Sequence, residues 1–268
     1  AITEKTRAIM TVHLMGNPCD IERIMEIAEE HNLFVIEDNC ESYGAEAGGK
    51  KVGTFGDLGT SSFFISHQIT TMEGGMVNTN NEEFSDLARQ IRAFGWIRDS
   101  KEKESLANKH SKIDPRFLFV NMGYNLRPTE MQGAFGMHQV KKLEDFIKIR
   151  RSNAEYWNKR FEKYEDYIIL PRERKNTRHI WFAYAITIKP DAPFTKQELV
   201  NFLEARKIET RPVMAGNITE QPVSEFLNFR VSGDLKSSKL VMTNSFFFGN
   251  HQQIGKSQRD YIADSIEE

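Results

Sequence analysis

Three short segments carry side chains whose types and spacing could do chemistry: IEDNCES at 36–42, GTSSFFISHQITTMEGG at 59–75 and GYNLRP at 123–128. In the first, Asp38 closes an apolar run and stands where a strand should end. In the second, His67 follows the strand-like TSSFFI, with Ser66 beside it. An imidazole with an ordinary pKa of about 6.5 can accept and return a proton around neutrality, which is what a general base or acid must do. In the third, Arg127 follows a Gly-Tyr-Asn turn and offers a guanidinium, whose fork matches a carboxylate. Each segment alone has a plainer reading. An acid after a strand can be a helix cap or a structural ion pair. A histidine there can be a hydrogen-bonded structural residue, and the arginine a surface charge.

The elements that must position these residues follow from the pattern around them. Ala8 to Met15 is apolar and β-rich and predicts a buried strand, and GNP at 16–18 is a turn signal. Asp20 is placed to cap a helix running to about His31, with Ile21, Ile24, Met25 and Ala28 on one face. Leu33 to Ile36 predicts a second buried strand. Strand, helix, strand at this spacing implies a parallel sheet, and ligands on such sheets sit outside the carboxyl ends of the strands, where Asp38 lies. A glycine-rich stretch leads to a third strand at Thr60–Ile65, a short strand at Met76–Asn78 and a helix over 82–94. The polar, weakly periodic segment 96–121 predicts a long loop that is functional or mobile.

A helix over 128–161 with a break near Leu143 comes next. After Pro171, WFAYAITIK and TRPV read as strands flanking a helix from Thr195 to Lys207, and a short helix ends the chain. The fold class is therefore α/β. A large domain with its linking helix is expected over 1–162, a mostly parallel sheet flanked by helices, and a smaller α+β C-terminal domain over 163–268.

The 268 residues carry a formal net charge of -2, which leaves no basic field for nucleic acid. The longest apolar runs, such as FLFV and SFFFG, fall far short of the roughly 20 residues a membrane helix needs. Two cysteines, Cys19 and Cys40, are too few for a disulfide scaffold or an iron–sulfur cluster and read as reduced thiols of a cytoplasmic protein. No metal-ligand pattern stands out. The opening AITEKTRAIM, with no initiator Met and no leader, reads as though cut from something longer.

Together and in order, the three segments resemble the sugar aminotransferases of the DegT/DnrJ/EryC1/StrS family, which have the aspartate-aminotransferase fold, pyridoxal phosphate (PLP) fold type I. The resemblance covers the chain from residue 1 to the end of the small domain. One departure bears on function. The family typically carries a lysine after Phe-Phe-x-x, and this chain reads Phe63, Phe64, Ile65, Ser66, His67. An imidazole cannot form the Schiff base that an amine forms. The chain is in this respect similar to the family's nucleotide-sugar 3-dehydratases. It shares with them Glu-Asp-Asn-Cys-Glu, Ser-His before Thr-Met-Glu-Gly-Gly, Arg-Pro-Val, Gly-Asn-His-Gln and the helix KKLEDFIKIRRSNAEYW.

The resemblance implies a specific site. Pyridoxamine 5'-phosphate (PMP), held without a covalent bond and cycling with pyridoxal 5'-phosphate, is the implied cofactor. Asp38 would face the pyridine nitrogen, Glu41 the ring hydroxyl and Ser62 the phosphate. Asn125 would reach the phosphate in a neighbouring subunit, in a homodimer with shared active sites. His67, with Ser66, would be the acid/base that removes the C3 hydroxyl of a 4-keto-6-deoxy sugar nucleotide such as GDP-4-keto-6-deoxymannose. Arg98 and Arg127 would hold the carboxylates of the glutamate that restores the amine, and Glu209 and Arg211 would lie near the nucleotide-sugar. The family's large domain begins on the order of a hundred residues earlier, a domain-scale piece. Two other readings stand beside this one: an iron–sulfur-dependent CDP-hexulose 3-dehydrase type, which also replaces the lysine by histidine, and a non-catalytic, degenerate aminotransferase fold. Retention of Asp38, Ser62, Asn125 and both arginines argues against the second.

Overall fold

A computed structural model describes residues 1–268, which form two compact units. The first comprises Thr6–Leu14 and Pro18–Leu143. It opens with β1 (Ala8–Val12), α1 (Ile21–Glu30) and β2 (Phe34–Asp38). The alternation of α1 at helical spacing buries Ile21 and Ala28, and the crossover makes β1 and β2 parallel. A small hairpin, β3 (Glu46–Ala47) and β4 (Lys50–Lys51), precedes β5 (Leu58–Ser62) and β6 (Gly75–Asn78). The sheet order is β1-β2-β5-β6, with β1, β2 and β5 parallel and β6 antiparallel. Val12 pairs with Asp38 and Asp38 with Thr60, so the carboxyl ends of the parallel strands stand side by side.

Several expectations are corrected. β1 is shorter than the expected strand and is not buried: Met10 is 63% exposed, because β1 lies at one edge of its sheet. β2 ends at the acidic pair as expected, but its Phe34 is exposed rather than buried. Asp20 occupies the N-cap position of α1, yet its side chain makes no cap hydrogen bond. β5 ends at Ser62 because Phe63 turns away to bond Gly74 and Thr71, closing a loop.

The segment 96–121 is built rather than structureless. After α2 (Glu82–Arg92), capped by Asn81, the chain forms a 3-10 turn at Ile97–Asp99, α3 (Lys103–Lys109) and another turn at Pro115–Phe117. Buried Asp86 accepts hydrogen bonds from Ser100 Oγ (2.7 Å), the Lys101 N–H (2.5 Å) and Gln90 Nε2 (2.7 Å). Trp96 stacks with Phe117 and Phe119 at 5.8 and 5.7 Å, and Ile97 and Leu118 are buried. α4 (Glu130–Val140) follows, opened by a Thr129/Gln132 capping box.

The second unit comprises Ala1–Lys5, Met15–Asn17 and Glu144–Glu268. It therefore takes nearly all of α5 (Leu143–Phe161), the linking helix that the sequence reading placed in the large domain. Its other elements are β7 (Ile168–Ile169), β8 (Thr177–Arg178), β9 (Ala183–Ile188), α6 (Lys196–Ala205), β10 (Thr210–Pro212), α7 (Lys236–Asn244), β11 (Ser245–Gly249) and α8 (Lys256–Glu267). The antiparallel sheet runs β10-β11-β9-β7. Trp157, Phe161, Tyr184, Phe246 and Phe248 fill its core, with Trp157 5.0 Å from Phe248 and 5.2 Å from Tyr184. Burying each such side chain contributes roughly 1.5–3 kcal/mol. The polar tips stay bonded: Trp157 Nε1 donates to the Arg259 carbonyl and the Tyr184 hydroxyl to Asn158.

Candidate active site

The end of β2 is held by Glu37, the other member of the acidic pair that closes the strand, to which the sequence gives no role of its own. Its fully buried carboxylate accepts backbone N–H bonds from Gly53 (2.8 Å), Phe55 (2.6 Å) and Gly56 (2.7 Å), and pairs with His13 Nε2 at 3.0 Å. Burial alone would raise the Glu37 pKa, but His13 and these N–H groups outweigh it and hold the carboxyl below its usual range. Burial likewise opposes charge on His13, and its hydrogen bonds with Cys19 and Glu37 lift the pKa to about 9. Successive strand residues face opposite ways, so fixing Glu37 on one face turns Asp38 to the other. Asp38 is half-buried, and its Oδ1 accepts the Cys40 N–H at 3.0 Å.

His67 sits in the loop that joins β5 to β6. The loop closes through Phe63 N–H to the Gly74 carbonyl (3.0 Å) and Thr71 N–H to the Phe63 carbonyl (2.9 Å). Buried Gln68 and Ile69 anchor it next to the histidine, and Gln68 Nε2 donates to the Glu41 carbonyl, which ties the loop to the buried Glu41. The imidazole is half-buried and meets the Phe64 ring edge-on at 5.9 Å. Burial lowers its pKa; a hydrogen bond with the Ser62 backbone and the charge of Asp38 pull the other way, and the net shift is downward from 6.5. The ring is therefore mainly neutral at neutral pH and able to accept a proton. Ser62 is half-buried, with Oγ accepting the Phe64 N–H at 3.3 Å, and Ser66 is exposed.

The remaining candidates belong to other segments. Asn125 pairs with Ala93 in a short antiparallel bridge, and Arg127 Nε donates to Asn125 Oδ1 at 3.2 Å. The Arg127 guanidinium lies 5.2 Å from the Phe94 ring centre, and that of Arg98 lies 3.7 Å over Trp96. All three polar side chains are exposed. Glu209 and Arg211 belong to the second unit, exposed and ion-paired with each other. The structure thus gathers Asp38, Ser62, His67 and, through Gln68, Glu41, and sets Asn125 and Arg127 side by side on a surface segment. No lysine occurs between Lys51 and Lys101. No group of three His, Cys, Asp or Glu side chains is arranged to hold a metal ion.

The sequence profile of the DegT/DnrJ/EryC1/StrS aminotransferase family matches residues 1–267. The chain belongs to that family. It is 43% identical over 256 residues to the GDP-4-keto-6-deoxy-D-mannose 3-dehydratase of Yersinia pseudotuberculosis, covering 94% of this chain and 64% of that protein. Among solved structures it is similar to the E. coli GDP-4-keto-6-deoxy-D-mannose-3-dehydratase with bound hydrated PLP, with a TM-score of 0.90, 37% identity and coverage of 99% of this chain and 68% of that one. A GDP-4-keto-6-deoxymannose-3-dehydratase with a trapped PLP-glutamate geminal diamine gives a TM-score of 0.89 at 36% identity, covering 99% of this chain and 69% of that one. The chain spans about two thirds of the length of these relatives. The expected fold holds: a PLP fold type I arrangement, with a mostly parallel sheet in the first unit and an α+β second unit.

Proposed function

We propose that this chain belongs to a PMP/PLP-dependent nucleotide-sugar 3-dehydratase, which removes the C3 hydroxyl of a 4-keto-6-deoxy sugar nucleotide, GDP-4-keto-6-deoxymannose by likeness to its relatives. One observation carries this reading. At the position where the family keeps a Schiff-base lysine, the chain places His67, an imidazole kept neutral by burial and sensing the Asp38 carboxylate.

The donor set fits the cofactor: a half-buried carboxylate at the end of a parallel strand, a hydroxyl at the end of its neighbour, and a neutral imidazole. When bound, the cofactor ring supplies a sink for the electron pair left behind as a proton is removed. Asp38 keeps the pyridine nitrogen protonated, Glu41 holds the ring hydroxyl and Ser62 the phosphate. His67 accepts a proton from the cofactor's C4′ carbon and delivers a proton to the departing C3 oxygen, with Ser66 beside it. Arg98 and Arg127 bind the two carboxylates of glutamate, which regenerates the amine. Glu209 and Arg211 contact the nucleotide-sugar. The setting is cytoplasmic deoxysugar synthesis for lipopolysaccharide O-antigen, in keeping with a relative named lipopolysaccharide biosynthesis protein RfbH, from Salmonella typhimurium. No helix is long and apolar enough to cross a membrane.

The working unit in this reading is a homodimer with shared sites. α4 exposes Met131 (74%), Phe135 and Met137 (65%), and Met122, Tyr124 and Leu126 around Asn125 are exposed as well. Apolar groups clustered on a surface mark an interaction site, and a twofold interface lets Asn125 of each chain complete its neighbour's phosphate site.

Turnover with GDP-4-keto-6-deoxymannose and glutamate tests the function: a product with a methylene at C3 supports it, and a product amino-substituted at C4 with the C3 hydroxyl retained overturns it. Mixing inactive His67→Ala and Asn125→Ala chains tests the sharing. Random exchange should restore roughly a quarter of wild-type activity, and no recovery despite proven exchange rules it out.

A further inference from the structure

We propose that Cys19 is a nucleophilic thiol and a site of oxidation by hydroperoxides, with His13 as its base and Glu37 as the group that orients the base. Three segments bring the three side chains together: His13 follows β1, Cys19 precedes α1, and Glu37 lies within β2. His13 Nδ1 lies 3.4 Å from Cys19 Sγ and 3.2 Å from the Cys19 backbone nitrogen. On the other side of the ring, Nε2 lies 3.0 Å from Glu37 Oε2. A carboxylate accepts and cannot donate, so Nε2 carries a proton toward Glu37, and with the ring's proton affinity raised, Nδ1 takes the thiol proton and faces the sulfur as the cation of a thiolate–imidazolium pair. Three backbone N–H groups fix the carboxylate in turn. This is the order of nucleophile, base and orienting group by which cysteine is activated in covalent catalysis.

Two further features favour reaction at the sulfur. The Thr11 hydroxyl lies 3.0 Å from Sγ and can donate to a thiolate. His13 and Glu37 are wholly buried, while Cys19 is only partly buried. The two cysteines differ in proton affinity. Burial raises that of Cys19, but hydrogen bonds with His13 and Thr11 outweigh it, leaving the pKa lowered. Burial and Asp38 push Cys40 up to about 12. Glu37 and Asp38 face opposite sides of β2, so this cluster is separate from the acid–base site around His67.

The step balances with a hydroperoxide as the only co-reactant. With its proton held on His13, the Cys19 thiolate attacks the outer peroxide oxygen. An S–O bond forms and the O–O bond breaks, the sulfur giving up two electrons and the peroxide taking them. The leaving alkoxide or hydroxide takes a proton back from His13, giving a sulfenic acid and an alcohol or water.

The test uses the native chain at pH 7, with Cys40 as the internal reference. Iodoacetamide should alkylate Cys19 at least about tenfold faster than Cys40 and faster than the same cysteine in urea-unfolded protein, since reaction follows the thiolate fraction. Hydrogen peroxide followed by dimedone should place the sulfenic-acid adduct on the Cys19 peptide. Thr11→Val should slow both reactions several-fold, and His13→Gln should bring Cys19 to the unfolded rate or below. If His13→Gln does not fold, the comparison of Cys19 with Cys40 and with unfolded chain decides alone. A Cys19 alkylated no faster than in urea, or dimedone found only on Cys40, overturns the proposal and leaves the cluster as a structural pin.

Discussion

The Asp38 carboxylate raises the proton affinity of His67, and burial of the His67 ring lowers it by more. The balance leaves a neutral base beside a fixed negative charge. A base works only unprotonated, and a pKa lowered from 6.5 keeps it so further into acid. The ascending limb of the single-turnover pH–rate profile for C3 deoxygenation should therefore have its midpoint below about 6.5. A midpoint above that value would show that another group takes the proton.

Arg127 is tied to Asn125 and lies over Phe94, on an exposed segment. In the proposed cycle it acts only on glutamate. Arg127→Ala should slow recovery of the amine form by roughly tenfold or more, through loss of a charge-assisted pair, and leave dehydration by preloaded PMP little changed. Stopped-flow absorbance of the cofactor separates the two half-reactions. Equal losses in both would place Arg127 elsewhere.

Gly95 closes the base of the 96–121 segment, which carries Arg98. Its φ is +79°, its carbonyl accepts the Val120 N–H at 2.9 Å, and a Cβ built there would sit 1.6 Å from the Asn121 carbonyl oxygen. Gly95→Ala should cost about 2 kcal/mol or more, combining left-handed strain with displaced backbone. Gly49→Ala is the control: φ is +80° there, but nothing lies within 4 Å of the added methyl, so only about 1 kcal/mol of strain is expected. Urea unfolding of the two variants checks the difference.

What the sequence made legible was local and periodic. The strand–helix–strand unit and its terminal acid could be read because apolar spacing sets both. His67 could be placed because it falls between a Ser-Phe-Phe strand and a Gly-Gly hairpin. The His13–Glu37 pair was not legible, since 24 residues separate its members and only the sheet register joins them. α3 was missed because KESLANK has no buried stripe. β11 was missed because SFFFG lacks alternation, and its pairing with β9 and β10 is long-range. The exposure of β1 follows from its edge position, which no pattern within the strand announces.

The central claim is that His67 replaces the anchoring lysine, so that the cofactor is held without a covalent bond. Borohydride reduction of the PLP-loaded protein, followed by peptide mass analysis, tests it directly. Wild type should yield no pyridoxyl-modified peptide, and His67→Lys should yield one modified at residue 67. A reducible pyridoxyl adduct on any lysine of the wild-type protein would contradict the account.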